Sequence, residues 1–306
     1  MDLTPGWAFQ PTTPPTPVPP APAPDLGSLQ GLAGTWAGSG LNTIWRPNQP
    51  AQGSDRFLEI NLTSENLEFD VVPGTIPNRG FLQGDLIMTG LRYLQQISDS
   101  NLNAGLHLEP GLWLSVPATT DPALPATVAR LASIPHGTTI VAQGVASSSN
   151  GPPTIPVVSI TPFAIGNPTS LVTFPEQTLA TPSNFRTSGA GLTGVTQAML
   201  DNPNSVLATE AAGLNITTTT TLQVSSDDAT PVLGGGTANT AFLQGGSDGP
   251  NAVAARVTST FWLQTTQGSG EPDVLQYTQT VLLNFNGLSW PHVTVATLKR
   301  QAAAGP

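Results

Sequence analysis

Three histidines are the side chains in this 306-residue sequence best suited to binding or proton chemistry: His107, His136 and His292. His107 stands in GLHLEPGLWL, where period-two geometry puts it on one strand face with Glu109, Gly111 and Trp113, and puts Leu106, Leu108, Leu112 and Leu114 on the other. Two arrangements satisfy that pattern: leucines on a core with the histidine in water, or the histidine lining a cavity beneath an outer leucine shell. His136, in IPHGTT, falls at a turn before a strand. His292, in SWPHVTVATLKR, opens the last strand with Thr294, Ala296 and Leu298 on its side. Its neighbours Trp290 and Pro291 make a partly apolar setting, which favours the neutral imidazole that ligates metals. Convergence of the three on one non-heme metal ion is one expectation, because three histidines with an open position form a ligand set.

Other chemistries are excluded or unsupported. Without cysteine there is no disulfide, thiolate ligand, iron–sulfur cluster or Cys nucleophile. The chain has no GxSxG elbow, HExxH or His-x-His, and Gly234-Gly235-Gly236 lacks the spacing of a phosphate cradle. A net charge of −10, with basic residues adjacent only at Lys299-Arg300, leaves no stripe to neutralise phosphates, so nucleic acid is not expected as a partner. A small-molecule ligand or substrate is expected instead; the oligomeric state stays open.

These residues need a scaffold, and the pattern around them is that of strands. Only 9% of residues are charged, while Gly and Pro number 31 each and punctuate short stretches rich in Thr, Val, Leu and aromatics. Twelve strands are expected: Thr35–Trp45, Phe57–Thr63, Leu67–Val72, Phe81–Thr89, Tyr93–Ser98, Gly105–Val116, Thr138–Ala146, Ile216–Val224, Thr237–Leu243, Ala255–Thr266, Val274–Phe285 and Val293–Arg300. Most spacings are too short for helical crossovers, which implies an all-β, antiparallel meander with long loop insertions. Two helical regions fit, a turn around Ser28–Leu32 and the stretch VTQAMLDNPNSVLATEAAG, where Asp201 and Asn202 stop one helix and cap a second. In GTWAGSG the glycines allow a sharply bent strand, and Trp36 is available to plug a barrel end.

Residues 1–25 read as a Pro-rich tail, 26–301 as the barrel domain with an inserted loop or lid at about 147–189, and 302–306 as a second tail. FLQG occurs at Phe81–Gly84 and Phe242–Gly245, without agreement in the flanking residues. No run approaches the length of a membrane-spanning helix. The amino terminus lacks the basic and apolar regions of a signal peptide, so the expectation is a cytoplasmic protein or one whose leader has been removed.

Three segments, in order, resemble the nitrobindin family of heme-binding β-barrels, which are similar to fatty-acid-binding and lipocalin-like barrels. The family's GxWxGxG is matched by Gly34, Trp36, Gly38 and Gly40; its L-H-x-E-x-G strand by Leu106, His107, Glu109 and Gly111, followed by Leu112 and Trp113; its terminal H-L-x-[AV] strand by His292 to Val295. The matched segments cover about a fifth of the chain, and the stretch from Gly34 to Arg300 is far longer than the family's compact domain. The resemblance implies an all-β, antiparallel up-and-down barrel with a ferric heme b on His292 as metal ligand, and with Gly34, Trp36, Gly38 and Gly40 counted among the cofactor-binding residues. It also implies peroxidase-like, nitric oxide or peroxynitrite chemistry, with His107 and Glu109 as catalytic proton carriers. A barrel of this kind without metal would instead carry a hydrophobic small molecule, without catalysis.

Overall fold

Stretches in which apolar and polar residues alternate become antiparallel strands because each then offers one face to an interior. The computed structural model describes residues 24–49, 52–227 and 234–302. Its barrel strands are β1 (Gly34–Pro47), β2 (Arg56–Val71), β3 (Leu86–Asp99), β4 (Ala104–Val116), β5 (Thr127–Ile134), β6 (Thr138–Asn150), β7 (Ile216–Ser225), β8 (Val253–Thr266), β9 (Val274–Phe285) and β10 (Leu288–Arg300). Each pairs with the next, and β10 pairs with β1 from Trp36↔Arg300 to Thr43↔Val293, so the up-and-down sheet closes without a free edge. Among the described residues no helix is long and apolar enough to cross a membrane.

Several expected strand boundaries are corrected. Phe57–Thr63 and Leu67–Val72 are one strand, β2, because Ser64, Glu65 and Asn66 stay in the ladder opposite Ser39, Gly38 and Ala37. Phe81–Thr89 and Tyr93–Ser98 give way to the single strand β3. Its Gly90 marks close approach rather than a break, since a Cβ there would lie 2.5 Å from the Trp113 carbonyl oxygen. β5, within TVARLASI, was not expected as a strand. Thr237–Leu243 divides into a short strand, Gly235–Asn239, and a helical turn, Ala241–Gln244. The two FLQG copies share no conformation: the first lies in a bend and loop, the second mostly in that helical turn.

One end of the barrel is sealed. The 3-10 turn Gly27–Leu32 packs Leu29 and Leu32 against Trp36, whose indole donates to the Leu32 carbonyl at 2.8 Å. Arg300 lies 4.3 Å over the Trp36 ring and donates to the carbonyls of Gly31, Ala33 and Pro272. At Gly38 and Gly40 a Cβ would come within 2.1 and 2.0 Å of carbonyl oxygens on β10, so only glycine lets β1 bend this closely over its partner.

The large insertion does not cover the opposite end. β6 continues to Asn150, and the excursion between it and β7 contains α1 (Gln197–Asp201) and α2 (Ser205–Ala212), the two helices expected on either side of Asn202. Ile160, Phe174, Leu200 and Leu207 from this segment pack with Leu41, Trp45, Leu58, Trp290, Val293 and Val295. The reason lies in the alternation of β1 and β10: their outward positions are as apolar as their inward ones, and burial of both faces requires an outer layer. The expected lid is therefore corrected to an external jacket, tied on by Trp45 Nε1 donating to the Ile160 carbonyl at 2.8 Å. The Pro-rich tail lies outside the described residues except for Pro24 and Asp25, and the second tail except for Ala302.

Candidate functional site

A cavity of about 350 Å³ fills the other end of the barrel. Its walls are mostly apolar, with Ile44, Ile97, Ile134, Val281 and Leu283 among them, and all three histidines reach it. β1 contributes Asn42 from its inward, even-numbered positions, and β10 contributes His292 and Thr294. β4 contributes His107, while Leu108, on the opposite face, is exposed; of the two arrangements open to this strand, the one with leucine outside is observed. Leu106 also lines the cavity, against simple alternation. The pairing slips between Ile97↔His107 and Ser98↔Gly105, leaving Leu106 as an extra residue that the bulge turns inward. Leu243 and Ala252, from the segment between β7 and β8, complete the lining.

Each histidine has one nitrogen engaged. His107 Nε2 meets Glu109 Oε2 at 3.1 Å. His136 bonds the Leu106 backbone and stacks obliquely on His107, ring centroids 5.5 Å apart; burial and the neighbouring His107 lower its pKa. His292 Nε2 lies 2.8 Å from Asn42 Oδ1, and burial, reinforced by His107 and His136, pulls its pKa down to about 3. It is a neutral imidazole.

Beneath the cavity lies a buried polar layer. Glu109 and Arg130 form an ion pair, and Tyr93 Oη donates to the same carboxylate. Arg130 also donates to Tyr93 Oη, Ser259 Oγ and Gln279 Oε1. Beside it, Glu65 accepts from Tyr277 Oη at 2.6 Å and from Thr63 Oγ1 at 2.9 Å, while Gln95 Nε2 donates to Tyr277 Oη at 2.9 Å. Glu109 is held at a pKa of about 2: burial alone would raise it, and the Arg130 charge together with the His107 and Tyr93 contacts more than reverses that. Among the described residues Glu65 has no cation in contact, and burial pushes it up to about 7 despite its hydrogen bonds.

Against protein-family models the chain has no match, and no curated protein matches it. Among solved structures it is similar to Rv2717c from M. tuberculosis, with 16% identity, 92% of this chain and 99% of that chain covered, and a TM-score of 0.41.

The structure thus brings together His107, His136 and His292, and joins Glu109 to His107 from below. Gly34, Trp36, Gly38 and Gly40 stand apart from the cavity wall and serve the sealed end. Among the described residues, no group of three His, Cys, Asp or Glu is placed to hold a metal ion. Sequence reasoning missed Asn42, Glu65, Tyr93, Gln95, Arg130, Tyr277 and Gln279. A signal existed for two of them: Asn42 interrupts an apolar stretch of β1, and Arg130, one of only nine basic residues, stands inside the apolar TVARLASI.

Proposed function

We propose that this protein is a binding barrel for a small, largely apolar molecule. The observation that carries the reading is the cavity itself: apolar walls enclosing a few convergent polar groups, the composition of small-molecule sites. The uncharged dye Nile red is a direct test. Its fluorescence should rise on binding, and Val281→Trp, which fills the cavity from β9, should abolish the rise while the fold is retained by circular dichroism. Equal binding by the variant would place the dye elsewhere and remove the reading.

The heme b reading is favoured by one observation, a neutral His292 on the cavity wall. The arrangement around that residue does not fit it. Nε2, the nitrogen farther from the backbone and the one best placed to reach an iron, is occupied by Asn42, and the ring would have to leave this bond to ligate through it. No peroxide or nitric oxide step is therefore derived through His107 and Glu109. Hemin titration decides the matter: a Soret shift that His292→Ala eliminates would restore the heme reading, and an unchanged spectrum with both proteins would close it.

A further inference from the structure

The bond between Asn42 and His292 is the end of a chain with a fixed direction. It begins at Asp99, whose Oδ1 accepts from the backbone N–H groups of Asn101 at 2.7 Å and Leu102 at 2.9 Å. Asp99 Oδ2 accepts from Asn61 Nδ2 at 2.8 Å, so Asn61 must turn its Oδ1 the other way, where Asn42 Nδ2 donates to it at 3.1 Å. Asn42 Oδ1 is thereby left to accept, and it receives Thr294 Oγ1 at 3.0 Å and His292 Nε2 at 2.8 Å. Reversing either amide would set oxygen against oxygen and nitrogen against nitrogen in a buried strand face, since Asn42, Asn61 and Asp99 are all buried. The proton of the neutral His292 ring must then sit on Nε2. Nδ1 carries the lone pair, and among the described residues nothing donates to it and nothing buries it completely.

A second anchor lies next to it. Gln279, directly across the ladder from Thr294, lines the same cavity and is 8% exposed. Its Oε1 accepts from Arg130 and Ser259, and among the described residues its Nε2 donors have no partner. Among the described residues anions find no free cation at this depth: Arg130 spends its donors on Glu109, Tyr93, Ser259 and Gln279, and at the mouth Arg46 is paired with Glu59 at 3.0 Å.

We propose that the Asp99–Asn61–Asn42 relay fixes the tautomer of His292 so that Nδ1 accepts a hydrogen bond from the hydroxyl of an uncharged, otherwise apolar ligand, with Gln279 Nε2 donating to the same polar end. This inference rests on the binding-barrel reading and names the ligand chemistry it selects. Asn42, Asn61 and Asp99 are positioning residues, and His292 and Gln279 are the contacts.

Two measurements on the unaltered full chain test it. Nitrogen-15 spectra of histidine-labelled protein report the tautomer without any ligand, and the three histidines are few enough to assign one by one. His292 should show a protonated Nε2 and a bare Nδ1; a protonated Nδ1 or a charged ring overturns the relay. Calorimetric titration then compares 4-pentylphenol, its methyl ether 4-pentylanisole, and 4-pentylbenzoate. The phenol should bind about tenfold tighter than the ether, the size of one buried hydrogen bond left unmade, and the carboxylate weakest of all. Equal binding of phenol and ether overturns the hydroxyl contact, and tightest binding by the benzoate overturns the exclusion of anions. If none of the three binds while His292 shows the expected tautomer, the cavity-binding reading and the ligand class fall together and the relay alone stands.

Discussion

Two carboxylates lie side by side beneath the cavity, both removed from water, and their pKa values move in opposite directions. Glu109 sits in a region built around the Arg130 guanidinium and is ionised at every pH at which the protein would be handled. Glu65 sits in a region of hydroxyls and amides from Thr63, Tyr277 and Gln95, without a counter-charge in contact, and it titrates near neutrality. The difference shows that burial sets the cost of a charge, and that a well-placed cation with the hydrogen bonds beside it decides whether the charge is kept. It also shows why Arg130 does not greet a ligand: it is committed to holding the polar layer together.

The largest expected effect comes from removing that cation. Arg130→Met leaves Glu109 buried and unpaired and should destabilise the protein by about 3–5 kcal/mol in denaturant unfolding at pH 7. A loss below ~1 kcal/mol would mean that the two regions are less different than their geometry implies.

The pH dependence separates the two more finely. Glu65 has its folded pKa raised from 4.5 to about 7, so the folded state holds the extra proton between these values and stability falls as pH rises through that window. Glu65→Gln should flatten this slope, gaining on the order of 3 kcal/mol relative to the parent at pH 8 and almost nothing at pH 4. Glu109 works the other way. Its folded pKa is depressed to about 2, so its contribution is complete above 4.5 and is lost as pH falls from there toward 2. Urea midpoints measured from pH 3 to pH 8 on parent and Glu65→Gln check both signs, and a variant parallel to the parent across pH 5–7 would remove Glu65 as the source.

The smallest effect is expected at the rim of the Glu109 region. His107→Leu deletes one hydrogen bond to a carboxylate that Arg130 and Tyr93 still hold, which should cost about 1 kcal/mol and leave the acid-side behaviour of Glu109 in place. A loss comparable to that of Arg130→Met, in the same denaturant experiment, would show that the imidazole and not the guanidinium holds the carboxylate.

Much of the fold was legible because strands announce themselves locally. Thr, Val and aromatic residues in alternation, with Gly and Pro at the ends, mark a pleated and half-buried chain, and short spacings leave no room for anything but a meander. The sealed end was legible for the same reason: GTWAGSG needs its glycines for a close approach of backbones, and Trp36 has little else to do there. The candidate site was legible in part: spacing named the residues that share a face with His107 and with His292, and left open whether the His107 face meets water or a cavity. β5 was not, because TVARLASI carries an arginine where a buried strand normally has none.

The sequence by itself therefore determined an antiparallel sheet, the plug of one end and three histidines whose direction it left open; their meeting at one cavity was decided by the closed barrel. Only the tertiary structure decided that the long insertion clads the outside and that Leu106 turns inward at a bulge. It alone supplied Arg130 as the partner of Glu109, and a chain of two amides from Asp99 to His292. The reason is physical. Alternation and turn chemistry act over a few residues and are written in the order of the chain, whereas a buried charge or amide is defined by what faces it across the barrel. Asn42 and His292 are 250 residues apart in sequence and 2.8 Å apart in space, and that distance exists only once the barrel has closed.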